Sequence, residues 1–150
     1  MNPVIAVDFD GTIVEDAYPS IGKERPFAIS TLKSLIADRH KLILWTVREG
    51  ELLEEAVEWC RSRGVEFYAI NRDYPEEEVA NNNHFSRKLK VDLFIDDRNL
   101  GGIPDWGTIY SMVSHNLSFE DYYLNEERMA NSGHGRKNNK RGGLFGILKK

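Results

Sequence analysis

Short apolar runs that alternate with amphipathic stretches constrain the fold of this chain more than any other feature. Four such runs are VIAVDF (4–9), KLILWT (41–46), VEFYAIN (65–71) and VDLFID (91–96). Each has the length and composition of a strand that is buried on both faces. Because strands that alternate with helices form parallel sheets, the sequence predicts an α/β fold: a single Rossmann-like parallel sheet with helices on both faces.

The segments between these runs have helical periodicity. Residues 26–39 place apolar side chains on one stripe, with Pro26 suited to the first turn, and residues 49–64 repeat the pattern. A further segment, WGTIYSMV (106–113), is a candidate fifth strand.

Charge is distributed unevenly along the chain. Residues 1–124 contain 13 Lys and Arg against 22 Asp and Glu, whereas residues 125–150 contain 7 against 2. The sequence therefore predicts a folded domain over 1–124 and a basic, flexible tail rich in Gly and Asn over 125–150. The acidic body argues against broad nucleic-acid binding by the domain.

The sequence also bears on cellular location. Cys60 is the single cysteine, so no internal disulfide can form, and a reducing compartment is the simpler interpretation. The N-terminus lacks a basic segment followed by an apolar core, and no apolar run approaches the roughly 18 residues that span a bilayer. We expect a cytoplasmic protein without a membrane span.

Polar residues follow three of the predicted strands. Asp8 and Asp10 follow the first, Thr46 ends the second, and Asp96 and Asp97 end the fourth. In parallel α/β sheets, the carboxyl ends of the strands meet at one edge, where ligands bind. Carboxylates gathered there would repel one another without a cation, and hard oxygen ligands of this kind suit Mg²⁺.

This set of residue types suits phosphoryl transfer. One aspartate of the pair Asp8 and Asp10 can attack phosphorus, because carboxylates form aspartyl-phosphate intermediates. The other can give a proton to the leaving oxygen and later take one from water. Thr46, together with Lys88 from the segment before the fourth strand, can hold the phosphoryl oxygens.

Four segments resemble the ordered motifs of the haloacid dehalogenase-like (HAD) hydrolases. They are DFDGTIV (8–14) for motif I, LILWT (42–46) for motif II, the lysine of SRKLK (86–90) for motif III and LFIDD (93–97) for motif IV. Their order and spacing are similar to those of the family.

The resemblance implies catalytic roles for named residues. Asp8 would be the nucleophile and Asp10 the general acid/base, an arrangement that marks phosphatases within the family. Thr46 and Lys88 would bind phosphate. Lys90 is the alternative to Lys88, because both lie in the motif III window.

The resemblance also implies a metal site. Asp8, the backbone carbonyl of Asp10 and Asp96 would ligate Mg²⁺, with Asp97 close by. Whether Asp96 or Asp97 binds the ion directly stays open. The implied activity is Mg²⁺-dependent hydrolysis of a phosphate monoester, on a small molecule or a macromolecule.

Members of the family select substrates with cap domains inserted between motifs. Here 35 residues separate Asp10 from Thr46, and 41 separate Thr46 from Lys88. The helices and strands assigned above nearly fill both gaps, so no cap domain is expected. Residues 15–26 form a short flap candidate that cannot seal the site. Either a large substrate or a neighbouring subunit would close it, and we favour assembly into a homo-oligomer.

Two alternatives to a phosphatase stay open. A non-catalytic module could keep the fold and bind phosphate or metal without turnover. A receiver-type phosphoacceptor domain uses similar residues, but it places its paired acids after the first strand and its acceptor aspartate after the third. Here the acid pair follows the fourth strand, and the third ends in AINRD (69–73).

Overall fold

The computed structural model describes residues 2–77 and 88–134, with side chains as far as residue 130. The described elements are, in chain order, β1 (Val4–Val7), α1 (Ala28–Ala37), β2 (Lys41–Leu44), α2 (Gly50–Arg61), β3 (Ala69–Ile70), β4 (Leu93–Ile95), α3 (Trp106–Ser114) and α4 (Phe119–His134). The chain divides into two compact units between Tyr110 and Ser111.

The four strands form one parallel sheet in the order β3-β2-β1-β4. Val7 of the central strand β1 pairs with Leu44 of β2 and with Ile95 of β4. This confirms the predicted fold class, a single Rossmann-like parallel sheet, and the described residues contain no cap domain. Since these three strands end in register, the residues that follow them emerge at the same edge of the sheet.

Both faces of the sheet are packed. On one face Ala6, Ile43 and Ala69 form a buried cluster with Leu89, from the segment that precedes β4. On the other face, Ile5 and Val7 of β1 are buried beside their β2 partners Leu42 and Leu44. Burial of these apolar side chains holds the strand ends, and therefore the residues beyond them, in fixed positions.

The predicted fifth strand over residues 106–113 is wrong, because this segment forms helix α3. Its buried residues, Trp106 and Ile109, are three positions apart, which is helical spacing. The Asp105 carboxylate caps the helix by accepting hydrogen bonds from the amide (3.0 Å) and hydroxyl (2.6 Å) of Thr108. The Trp106 indole donates to the carbonyl of Thr12 (3.1 Å), which ties α3 to the loop after β1.

Helix α4 begins with a reciprocal cap. The Ser118 hydroxyl accepts a hydrogen bond from the Asp121 amide (3.0 Å), and the Asp121 carboxylate accepts one from the Ser118 hydroxyl (2.7 Å). The helix crosses the boundary predicted between residues 124 and 125. Residues 135–150 of the predicted tail lie outside the described residues. Among the described helices, none has both the length and the apolar character needed to cross a membrane.

Candidate functional site

Three carboxylates meet at the carboxyl edge of the sheet. Asp8 follows β1, and Asp96 and Asp97 follow β4, which is the strand next to β1 in the sheet. One oxygen from each lies within 4.8 Å of the others, and all three residues are half-buried. The arrangement can hold a divalent cation, because three hard oxygen ligands converge on one point. The predicted convergence of Asp8 with Asp96 and Asp97 is therefore found.

The electrostatics of this triad indicate a deficit of positive charge. Burial raises the pKa of Asp8 to about 7, and repulsion from Asp96 and Asp97 adds to the increase. Hydrogen bonds from the Phe9 amide and from Thr12 oppose it but do not cancel it. A cation at this point would favour the ionised form of Asp8.

Thr12, which sequence reasoning did not single out, connects the two sides of the triad. Its hydroxyl is fully buried and accepts a hydrogen bond from the Asp97 amide (3.0 Å). The same oxygen lies 3.3 Å from Asp8 Oδ2 and 3.4 Å from Asp97 Oδ1. Thr12 therefore fixes the nucleophile candidate against the loop that follows β4.

Gly11 lies against the Asp97 carboxylate with a φ of +84°. A Cβ at this position would overlap that carboxylate. We expect Gly11→Ala to lower the free energy of unfolding by about 1–3 kcal/mol, because the side chain strains a positive φ. We also expect it to weaken binding of divalent cations by about tenfold or more, because Asp97 must move. Calorimetric titration with Mg²⁺ measures the second effect.

Gly101 provides the matched control for that prediction. It has a φ of +96° with open space around its Cβ position. Gly101→Ala should therefore reproduce the backbone strain without affecting cation binding. Equal cation affinities in the two variants would show that the contact with Asp97 has no role in the triad.

Asp10 does not join the triad through its side chain. It is 7% exposed, and both of its oxygens accept hydrogen bonds from Arg48, with Nε and Nη2 each 2.7 Å away. The metal contact implied for Asp10 involves its backbone carbonyl. The proposed general acid/base is therefore held by a buried, bidentate ion pair.

Arg48 is the main site residue that sequence reasoning missed. It is fully buried, and its guanidinium also donates to the carbonyls of Pro19 (3.0 Å) and Ser20 (2.8 Å) in the flap candidate. The rings of Phe9 and Tyr18 lie 5.1 Å and 5.4 Å from its central carbon. A single side chain thus joins Asp10 to residues 15–26. Its position two residues after Thr46 is the only sequence feature that could have indicated it.

Thr46 lies two residues after β2, in the wall of the cleft that contains Asp8 and Asp10. Its amide donates to the Asn71 side chain (2.9 Å), and its hydroxyl oxygen accepts a hydrogen bond from the Arg48 amide (3.2 Å). That oxygen acts as an acceptor, so the hydroxyl proton can be donated to a ligand.

Neither candidate lysine is brought to the cleft. Lys88 is exposed, and its Nζ lies 5.3 Å from the centre of the Phe94 ring. Lys90 is also exposed, and its backbone amide donates to Asp73 (2.7 Å). Neither residue lines the cleft that contains the aspartates. The predicted role of Lys88 in phosphate binding therefore has no support from its position.

Comparisons with known proteins give one structural relative. No protein-family model matches the sequence, and a search of the curated proteins finds no match. The chain is similar to a solved structure of a conserved protein from Bacteroides thetaiotaomicron, with 65% sequence identity and a TM-score of 0.75. The similarity covers 82% of this chain and 98% of that chain.

Proposed function

We propose that this chain, which belongs to the same family as the conserved Bacteroides thetaiotaomicron protein, is a HAD-like, Mg²⁺-dependent phosphatase that hydrolyses a phosphate monoester. The observation that supports this proposal most is the triad of Asp8, Asp96 and Asp97 at the ends of adjacent parallel strands, where the pKa of Asp8 is raised to about 7. The resemblance of the four motifs to the HAD hydrolases supports the same proposal.

The proposed reaction has two steps. A carboxylate oxygen of Asp8 attacks phosphorus, the bond to the ester oxygen breaks, and the alcohol leaves with a proton from Asp10. A water molecule that gives its proton to Asp10 then attacks the aspartyl phosphate, which releases phosphate and restores Asp8. The Thr46 hydroxyl donates to a phosphoryl oxygen in both steps.

The donor set of the triad fits Mg²⁺. The three carboxylates supply hard oxygen ligands, and no basic side chain among the described residues is hydrogen-bonded to them. When bound, Mg²⁺ neutralises charge on the phosphoryl oxygens and on the triad. Asp8, Asp96 and Asp97 would hold it.

Removal of divalent cations should abolish most of the activity. We expect a chelator to lower the rate of hydrolysis of an aryl phosphate by at least about 100-fold, because a bound metal ion contributes several kcal/mol of charge stabilisation. Adding excess Mg²⁺ should restore the rate, and chelator already saturated with Mg²⁺ is the control. A rate that the chelator leaves unchanged would remove the metal from the mechanism.

One contact favours a second candidate function, a module that binds metal and phosphate without turnover. Both oxygens of Asp10 are bonded to Arg48, so this carboxylate is not poised to donate a proton while that pair is intact. Binding of inorganic phosphate without hydrolysis of any ester would support the module and contradict the phosphatase.

The sheet order argues against the receiver-type alternative. Flavodoxin-like sheets of that class have the order 2-1-3-4-5, in which the third strand adjoins the first. Here β2 separates β3 from β1, and Asn71 follows β3. Assembly into a homo-oligomer and a cytoplasmic location stay predictions.

A further inference from the structure

The cleft that contains the aspartates extends well beyond them. It has a volume of about 1120 Å³ and reaches from Asp8 and Asp96 across the end of β2 to the outer face of α2. Sites for drug-sized ligands measure about 300–1000 Å³. The cleft therefore has room for far more than the phosphoryl group that the triad and Thr46 would bind.

The part of the cleft beyond the triad has an apolar floor. Five side chains form this floor: Trp45, Val47, Leu53, Val57 and Ile70. Val47, which directly follows the phosphate-binding candidate Thr46, is 76% exposed. When a ligand covers an apolar side chain that is exposed to water at this point, the free energy of the system falls, so binding is favoured.

Charges on the α2 side of the cleft disfavour an acidic ligand. Glu49, Glu54 and Glu58 line this side, and Glu58 accepts a hydrogen bond from Arg61 (3.0 Å). Among the described residues, Arg61 is the single basic residue that α2 contributes to the cleft. Arg72 and Arg98 line the cleft from other segments, where Arg72 donates to the Ile70 carbonyl (3.3 Å) and Arg98 lies 3.8 Å from the Asp16 carboxylate. Repulsion of an acidic group is therefore a property of the α2 side alone.

We infer that the substrate is a phosphate monoester of a largely apolar alcohol, whose carbon skeleton lies on the floor formed by Trp45, Val47, Leu53, Val57 and Ile70. The inference rests on the proposed phosphatase function and specifies its substrate class. It joins the position of the triad, the volume of the cleft and the apolar side chains that line the cleft beside the triad.

A series of n-alkyl phosphates from ethyl to hexyl tests the inference. The scissile bond and the leaving oxygen are alike throughout the series, so a change in kcat/KM reports contact with the chain. Full burial of one methylene group raises binding by a factor of about four. In a half-open cleft, we expect each added methylene to raise kcat/KM by about twofold to fourfold. We expect kcat/KM with Mg²⁺ to be at least about tenfold higher for hexyl phosphate than for ethyl phosphate.

A pair of variants locates the effect. Val47→Asn should lower the ratio of hexyl to ethyl efficiencies by about threefold or more, because it replaces apolar floor with a polar amide. Phe27→Asn is the matched control, since Phe27 is 72% exposed and lies outside the cleft. Its φ of 66° is one that asparagine tolerates. This control should leave the ratio of hexyl to ethyl efficiencies unchanged. A general loss of turnover lowers both efficiencies equally and therefore does not change their ratio.

Binding of n-alkylphosphonates, which carry a P–C bond, separates this inference from the proposed function. If no ester is hydrolysed but phosphonate affinity rises with chain length and falls in Val47→Asn, the phosphatase proposal fails and the apolar site stands. If esters are hydrolysed with equal efficiency across the series, the phosphatase stands and the apolar substrate class is overturned. Weaker binding of longer phosphonates overturns it as well.

Discussion

Replacing Asp8 with asparagine is expected to lower kcat by at least about 10³-fold and to stabilise the metal-free fold. The first effect follows because an amide cannot replace the attacking carboxylate. The second follows because the substitution removes one of three carboxylates that repel each other in a half-buried cluster. Loss of activity together with gain of stability is the pattern expected of a functional residue.

The stabilising effect of Asp8→Asn should depend on pH with a defined sign. The pKa of Asp8 is about 7 in the fold against an ordinary value of 3.8, chiefly because the carboxyl is buried. Between about pH 4 and 7, the fold therefore binds a proton that the unfolded chain releases, so its free energy of unfolding decreases as the pH rises. Over this pH range, the shifted pKa of Asp8 changes the free energy of unfolding by about 4 kcal/mol at most.

Thermal unfolding with a chelator present measures this difference. At pH 8 the Asp8→Asn protein should have a Tm about 5 °C or more above that of the parent, and the two should converge near pH 4. Glu55→Gln removes one negative charge from an exposed position on α2 and should affect neither Tm nor kcat appreciably. Turnover close to the parent rate in Asp8→Asn would refute the nucleophile assignment.

Replacing Arg48 with methionine is expected to lower the free energy of unfolding by about 3–5 kcal/mol. Methionine fills part of the volume, but it leaves the buried Asp10 carboxylate without its partner. It also removes the donors to the Pro19 and Ser20 carbonyls. Urea denaturation measured by far-UV circular dichroism gives the difference directly.

A double-mutant cycle identifies the ion pair as the cause. Combining Arg48→Met with Asp10→Asn removes the uncompensated charge, so the double variant should be more stable than Arg48→Met alone. Arg48→Lys keeps the charge but cannot make the bidentate contact, and it should fall between the parent and Arg48→Met. A loss below about 1 kcal/mol in Arg48→Met would contradict a structural role for the pair.

The part of the site that follows apolar strands could be predicted from the sequence. Asp8, Thr46 and Asp96 follow short apolar runs, and parallel strands deliver such residues to one edge whatever their distance along the chain. The predicted strands were longer than those observed, since pairing ends at Val7 and Leu44. These differences at strand ends do not change which edge the aspartates share.

The remaining site residues depend on tertiary contacts that local patterns do not encode. Arg48 is a charged residue, for which solvent exposure is the ordinary expectation, and its burial depends on Asp10, 38 positions away. The position of Lys88 depends on the packing of the segment before β4 rather than on its motif spacing. For α3, the sequence contains the capping residue Asp105 and the helical spacing of Trp106 and Ile109, but its apolar composition also suits a short strand.

The hydrogen bonds of Arg48 connect the flap candidate to Asp10. The guanidinium acts as a non-covalent cross-link between Asp10 and the carbonyls of Pro19 and Ser20. Withdrawal of Arg48 breaks all of these bonds together, so it frees the Asp10 carboxylate and both flap carbonyls in the same event. Any movement that takes Arg48 out of its buried position therefore couples residues 15–26 to the environment of Asp10.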